Sequence, residues 1–335
     1  MNNKKFWIDH FNSAEPEIQR RFIALTTNDC REVLKDLGMP ISEGIVFESA
    51  ENRVFGFGDV VLKFYRPGRW SLEALQDEVQ FLEDLREAQV PFVRPIGNVR
   101  IWQGIYYIVF ETISKSYVVA PEILHEDSVR KLVQNVARIH DVGTKTIAAS
   151  RPQFDPEEMC TGCFEVIKRS GFLPKELQRP YEEFIGELVA KITTIKDIPI
   201  QRIHGDTYSG NTMWNSNGPM FMDLDDFQMG PVALDLRLLS SGCRLNTLPE
   251  SMNRIECRDI QQELILNFYR EVRSFPKSWE VLFPLLSACR DIQFDAWFSA
   301  RWREPGFAEN YPSEDITDFA YWKNSLEVLQ DSLKE

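Results

Sequence analysis

The sequence predicts an α+β protein of two lobes, a small one built on a mostly antiparallel β-sheet and a larger, mainly helical one. Three observations predict it. At 335 residues the chain exceeds what one hydrophobic core ordinarily organises. Short β-like runs joined by tight turns crowd the first 111 residues, with one long amphipathic helix among them. Beyond them apolar residues recur at helical spacing in segment after segment, and only the stretch 200–230 breaks the pattern.

Taken in order, residues 1–21 are polar and read as an arm, helical or loosely attached. In FIALTTNDCREVLKDLG (22–38) a Thr/Asn/Asp cluster precedes Val33, Leu34 and Leu37, and Gly38 marks the stop of a short helix. GIVFES (44–49), RVFGFG (53–58) and VVLKFY (60–65) read as strands. SLEALQDEVQFLEDLREAQ (71–89) reads as a helix, with Leu72, Leu75, Val79, Leu82 and Leu85 three or four apart. Residues 99–111 form a hairpin, and the small lobe is expected over 22–114. In the large lobe, 115–335, Val129, Leu132, Val133, Val136 and Ile139 share one face of a helix over 127–142. Helical patterns return at 181–195, 258–273, 280–300 and 317–333.

Apolar residues make up 43% and charged ones 27%, as in ordinary soluble proteins. With 38 basic against 51 acidic side chains the net charge is −13, which opposes general binding to nucleic acid or anionic membranes. No run approaches the roughly 20 apolar residues of a membrane helix, and the opening residues lack a signal peptide's apolar core. A cytoplasmic monomer is therefore expected, with no membrane or nucleic-acid partner. The six cysteines (Cys30, Cys160, Cys163, Cys243, Cys257 and Cys289) are scattered and read as reduced thiols; the Cys160–Cys163 pair lacks the second pair a zinc site needs.

The chemistry concentrates in HGDTYSGN (204–211), the turn NSNG (215–218) and PMFMDLDDF (219–227). Asn-Gly between apolar runs predicts a hairpin. With Asn217 and Gly218 in the turn, Ser216 faces Pro219, and Asn211 falls opposite Leu224, one residue from Asp223; a four-residue loop would move the pairing by about two residues and change little. The open end then gathers an amide oxygen and a carboxylate, with Asp206 five residues before Asn211. Such oxygens suit magnesium, and a nearby Asp free of the metal can accept the proton of an attacking hydroxyl. This is the arrangement of protein-kinase-like phosphotransferases, and it makes a protein-kinase-like fold the expectation. Asp206 and Asp223 are the expected catalytic residues, and Asn211 and Asp223 the expected magnesium ligands.

Around them the assignments are less direct. Asp226 opens a DFQ that imitates the DFG of protein kinases, but Asp223 directly follows the apolar strand; Asp225 is available to a second ion, and Asp226 to brace the loop. Asp235 caps the next helix or tethers the catalytic loop. Lys63 lies inside an apolar strand, where an unpaired ammonium is costly, so a phosphate and Glu78 are its expected partners. Glu73, Asp77 and Glu83 share the same helix as alternatives. No GxGxxG loop is present; SAENRVFGFG (49–58) takes its place, with Ser49, Asn52 and backbone amides as the expected contacts to ATP.

The runs ESAENRVF, VVLKFYRPGRW, DEVQF, HGDTYSGN, GPMFMDLDD, GPVALDL and ARWREPGFAENYP, in that order, resemble the bacterial stress response kinase A family. That family lies within the aminoglycoside phosphotransferase/choline kinase superfamily. The likeness covers about 22–325, and KFYRP-x-RW and ENRV are not general kinase motifs. It implies a cytoplasmic serine/threonine protein kinase that uses ATP and magnesium and serves stress protection. It also implies Asp206 as proton acceptor, Asn211 and Asp223 on magnesium, and Ser49 in the ATP site. Thr207-Tyr208 stands where the family pattern has Cys-His. A kinase for homoserine, choline, ethanolamine or an aminoglycoside is the alternative, and the acidic charge would suit a cationic acceptor. A non-catalytic pseudokinase is a further alternative, against which Lys63, Asp206, Asn211 and Asp223 are all intact.

Overall fold

The computed structural model describes residues 3–11, 15–119, 123–240 and 244–334. Helices α1 (Asn3–Phe11), α2 (Pro16–Ile23) and α3 (Thr27–Asp36) come first. Proline in the first turn starts α2, and a reciprocal capping box between Thr26 and Asp29 starts α3. Five strands follow: β1 (Gly44–Phe47), β2 (Arg53–Phe57), β3 (Val60–Phe64), β4 (Arg100–Trp102) and β5 (Ile105–Glu111). Helix α4 (Leu72–Glu87) interrupts them, its N-terminus capped by the Ser71 side chain, which accepts from the Ala74 N–H. The strands form one antiparallel sheet in the order β1-β2-β3-β5-β4. Strand β3 is central, and Lys63 sits in register between Val54 and Ile108.

Short strands β6 (Val118–Val119) and β7 (Ile123–Leu124) lead to helices α5 (Glu126–Gly143), α6 (Pro156–Ser170) and α7 (Lys175–Thr194). Strand β8 (Gln201–Ile203), the hairpin β9 (Thr212–Asn215) and β10 (Gly218–Phe221), and β11 (Gln228–Gly230) follow. Helix α8 (Val232–Leu239), strand β12 (Arg244–Leu245) and helices α9 (Arg254–Val272), α10 (Leu282–Arg301) and α11 (Phe319–Asp331) complete the chain. Strand β11 pairs antiparallel with β8. The chemical segment between them is thus fixed at both ends. No helix among the described residues is long and apolar enough to cross a membrane.

Three apolar clusters bind these elements. One covers the outer side of the sheet with Phe22, Cys30 and Leu34 against Phe55, Phe64 and Val109. A second crosses between the lobes, packing Leu75, Val79 and Leu82 of α4 with Leu132 and Val136 of α5 and with Phe221 and Phe227. The third joins α6, α7, α10 and α11, and Trp7 and Phe11 of α1 are buried in it. Fully burying such a side chain is worth about 1.5–3 kcal/mol, so the polar opening segment is a packed helix over 3–11. Helix α6 went unread in the sequence because two cysteines and a glycine dilute its buried face. Cys30, Cys160, Cys163, Cys257 and Cys289 are free, buried thiols, as expected; Cys243 lies outside the described residues.

Charge also ties the lobes together. Glu51, in the turn between β1 and β2, accepts from Arg301 Nε at 2.9 Å and from the Trp297 indole, both on α10. Burial would raise the Glu51 carboxyl, but the guanidiniums of Arg301, Arg66 and Arg69 outweigh it and hold it down at about 2. A carboxyl depressed in the folded state adds stability that is complete above its ordinary value of 4.5 and is lost as pH falls toward 2. The contribution is about 3 kcal/mol. Urea unfolding at steps from pH 4.5 to pH 2 should therefore show the wild type losing about 3 kcal/mol more than Glu51→Gln. Parallel curves for the two proteins would rule the contribution out.

Candidate active site

The loop from His204 to Asn211 is shaped by a carboxylate buried beneath it. Asp235 accepts the backbone N–H groups of His204 and Gly205, each at 2.8 Å, and the His140 ring Nε2 at 3.0 Å. Its own carbonyl accepts from the Thr207 hydroxyl. Pro231 occupies the N-cap of α8, so Asp235 is a tether and not the cap. Gly205 has φ +83°, and a Cβ there would lie 2.3 Å from the Asp226 carbonyl oxygen, so glycine alone fits. His204 links loop to hairpin: its Nδ1 accepts from the Asp206 N–H at 3.3 Å while its Nε2 donates to the Met222 carbonyl at 3.1 Å.

Asp206 and Asn211 are brought together by this loop. Asn211 Nδ2 donates to Asp206 Oδ2 and to the Asp206 carbonyl, both at 2.9 Å. Both amide hydrogens are thereby used, and Oδ1 is the atom left to meet a cation. Asp206 Oδ1 accepts from Arg290 Nη2 of α10 at 3.0 Å. Burial pushes the Asp206 carboxyl above its ordinary range, and Arg290 pulls against it.

The hairpin takes the alternative register, two residues from the first one expected. Asn215 pairs with Gly218 and Thr212 with Phe221, so Ser216 and Asn217 form the turn instead of Asn217 and Gly218. The cause is local: the Asn215 side chain accepts the Asn217 N–H at 2.8 Å and reverses the chain one residue early. Asn211 consequently faces Met222, whose N–H donates to the Asn211 carbonyl at 3.0 Å, and not Leu224. Asp223 still follows directly. It adopts φ +61°, a left-handed conformation that aspartate tolerates better than most side chains.

Lys63 reaches this site from the sheet, donating to Asp223 and lying 3.2 Å from Asp225 Oδ1. Burial opposes its charge, yet Asp223 and Asp225 outweigh it and hold the ammonium above its ordinary range. Asp225 is itself buried and accepts from Asn52 Nδ2 at 2.9 Å and Arg69 Nη1 at 2.7 Å. Burial would raise its carboxyl, but Lys63 and Arg69 keep it well below the usual range. Asp226 accepts from Arg69, which fits the bracing role expected of it.

Two expected contacts of the small lobe are redirected. Glu78 does not bond Lys63; it accepts from Arg151 Nη2 at 2.8 Å and the Tyr65 hydroxyl at 2.6 Å. Arg151 is wholly buried between the rings of Trp70 and Phe227, and a guanidinium at that depth requires a carboxylate beside it. Lys63 meanwhile has Asp223 and Asp225. Asn52 points its amide nitrogen at Asp225, which leaves its buried Oδ1 without a partner among the described residues. Ser49 is exposed and closes the turn, its hydroxyl accepting the Asn52 N–H at 3.2 Å. Sequence reasoning missed Arg69, Arg151 and Arg290. Only Arg69 carried a local signal, inside RPGRW.

A small antiparallel sheet and a larger helical lobe, joined by this carboxylate and amide cluster, define a phosphotransferase of the protein-kinase-like class. The model of the phosphotransferase enzyme family matches residues 44–249, and the chain belongs to that family. Stress response kinase A of Escherichia coli strain K12 is 30% identical over 313 residues, covering 90% of each chain. Serine/threonine protein kinase RdoA of Salmonella typhimurium strain LT2 is 28% identical over 325 residues, covering 93% of this chain and 94% of that protein. Among solved structures, amicoumacin kinase hAmiN superposes with a TM-score of 0.73 at 15% identity, over 95% of this chain and 96% of the other. Choline kinase LicA from Streptococcus pneumoniae gives 0.61 at 18% identity, over 92% and 98%.

Because Asp235 accepts two loop N–H groups and one nitrogen of the buried His140 ring, Asp235→Ala should lower the unfolding free energy by about 3–5 kcal/mol, the worth of two or three hydrogen bonds to a charged group. Denaturant titration measures it. A loss below about 1 kcal/mol would mean the loop holds its shape without the tether.

Proposed function

We propose that the protein is an ATP- and magnesium-dependent kinase that transfers a phosphoryl group to serine or threonine hydroxyls of protein substrates. The observation that carries this reading is the meeting of Lys63, Asp206, Asn211 and Asp223 at one junction of the lobes. The names of the 30% and 28% identical relatives support the protein acceptor and a role in stress response.

The donor set fits a hard cation. Asn211 is turned so that its carbonyl oxygen is left over, and the Asp223 side chain is 41% exposed beside it. Magnesium held by these two oxygens would neutralise charge on the nucleotide's phosphates. Lys63, released from Asp223, would supply the second positive charge, and the backbone N–H groups of residues 49–51 would supply neutral donors. Asp206 orients the acceptor hydroxyl and takes its proton as the new O–P bond forms and the bond to ADP breaks. Arg290 and Asn211 hold the two oxygens of that carboxylate in place for the incoming group.

Asp206→Asn should lower turnover about 10³-fold while the Kd for ATP stays within a few-fold. Transfer from labelled ATP to a generic protein substrate, beside direct ATP titration, measures both. Equal losses of affinity and rate would make Asp206 a structural brace. Label that passes to amino alcohols and to no protein would contradict the protein acceptor.

Lys63→Ala should cut transfer by about 10² or more, because positioning and charge are the main catalytic terms in phosphoryl transfer. A fall of less than about tenfold in the same assay would remove Lys63 from the site.

A further inference from the structure

Three segments outside the transfer chemistry converge in space: the turn before β2 with Glu51, the loop after β3 with Arg66 and Arg69, and the end of α10 with Arg301 and Glu304. Glu51 is their centre. Its Oε1 accepts from Arg301 Nε at 2.9 Å, and its Oε2 lies 2.9 Å from Arg66 Nε. Arg66 Nη1 in turn spans both carboxylate oxygens of Glu304, at 2.9 and 3.0 Å. Arg69 lies between Glu51, 4.0 Å from its Oε2, and Asp225, 2.7 Å from its Oδ2. All three guanidiniums are at most 8% exposed at the side chain, and Glu51 is 13% exposed.

The opening helix completes the arrangement. Its Phe11 carbonyl accepts from Arg301 Nη1 at 3.0 Å, and the ring of His10 lies 3.2 Å from the Arg69 carbonyl. A buried cluster of this kind holds a single geometry, because displacing one member strands charges that have no water to solvate them.

What the cluster holds is the turn Glu48–Asn52, which lacks glycine. Glu51 pins it to α10, and the next residue, Asn52, bonds Asp225 directly above Lys63. A glycine-rich loop would have to order itself around phosphates on binding; this turn has already lost that freedom. On the kinase reading above, we infer that Glu51 is a positioning residue, whose carboxylate between Arg66 and Arg301 holds the turn as a preformed cradle for the nucleotide's phosphates.

The test is Glu51→Gln, which keeps the side chain's size and removes its charge. Calorimetric titration with magnesium-ATP and with adenosine, on protein shown to be folded, separates phosphate contacts from the rest of the nucleotide. The variant should bind adenosine as the wild type does and magnesium-ATP about tenfold or more weakly. Amides 49–52 should exchange faster with solvent. Glu304→Gln, which removes the second carboxylate beside Arg66 and Arg301 but leaves both guanidiniums facing Glu51, should change magnesium-ATP affinity less than about threefold. If Glu51→Gln does not fold, Glu51→Asp, which keeps the charge and shortens its reach, should show the same selective loss. Unchanged magnesium-ATP affinity, or equal losses for ATP and adenosine, overturns the inference while the kinase reading stands. A folded wild type that does not bind magnesium-ATP overturns the kinase reading itself.

Discussion

Lys63 carries an ammonium into the central strand of a five-stranded sheet, where its side chain is 10% exposed. Nothing in the sheet can neutralise it: its register neighbours are Val54 and Ile108. The compensating carboxylates, Asp223 and Asp225, come from the loop beyond β10 in the other lobe. Much of the architecture between the lobes follows from bringing them within reach. Strands β8 and β11 pair so that the intervening segment is clamped at both ends, and Phe221 and Phe227 bury themselves on either side of the acidic run. Asp225 would be unaffordable at that depth with one partner, and Asn52 and Arg69 supply two more.

The same requirement explains why the site divides into a shielded and an accessible half. Asp225 is 5% exposed at its side chain and saturated with donors, whereas Asp223 is 41% exposed and bonded to Lys63 alone among its basic neighbours. On the kinase reading, phosphates entering the cleft would compete with Asp223 and Asp225 for Lys63, and a cation would meet the exposed carboxylate of Asp223. Asp206 is held from α10 by Arg290, and both hydrogens of the Asn211 amide point toward it, so on the kinase reading a single amide would bridge the base and the metal oxygens.

Local chemistry was legible in the sequence; partners chosen across the fold were not. The capped helix α4, the antiparallel strands and the Asp206–Asn211 spacing are set by short-range periodicity and turn residues, and all three were anticipated. The hairpin was anticipated with two registers open, and the Asn215 side chain selects between them, which spacing alone does not show. Glu78 was assigned to Lys63 by likeness to the kinase Lys–Glu pair, yet its partner Arg151 is 73 residues away, in a loop with no periodic signal. Arg290 and Arg301 sit in an apolar helical pattern where either could have been a surface residue; only the fold shows that they turn inward to Asp206 and Glu51. The packing of helix α1 into the core was hidden for the opposite reason, its two buried aromatic residues being sparse in a polar segment.

On the kinase reading, the carboxylate that satisfies Lys63 is also the one that receives the metal. Calorimetric titration of ATP with and without magnesium, on wild type and Asp223→Asn, tests it most directly. The wild type should bind ATP more tightly with magnesium present. Asp223→Asn, folded as judged by its unfolding curve, should bind ATP with the same affinity whether magnesium is added or not. A variant that keeps the wild type's magnesium dependence would contradict the account and place the metal elsewhere in the cleft.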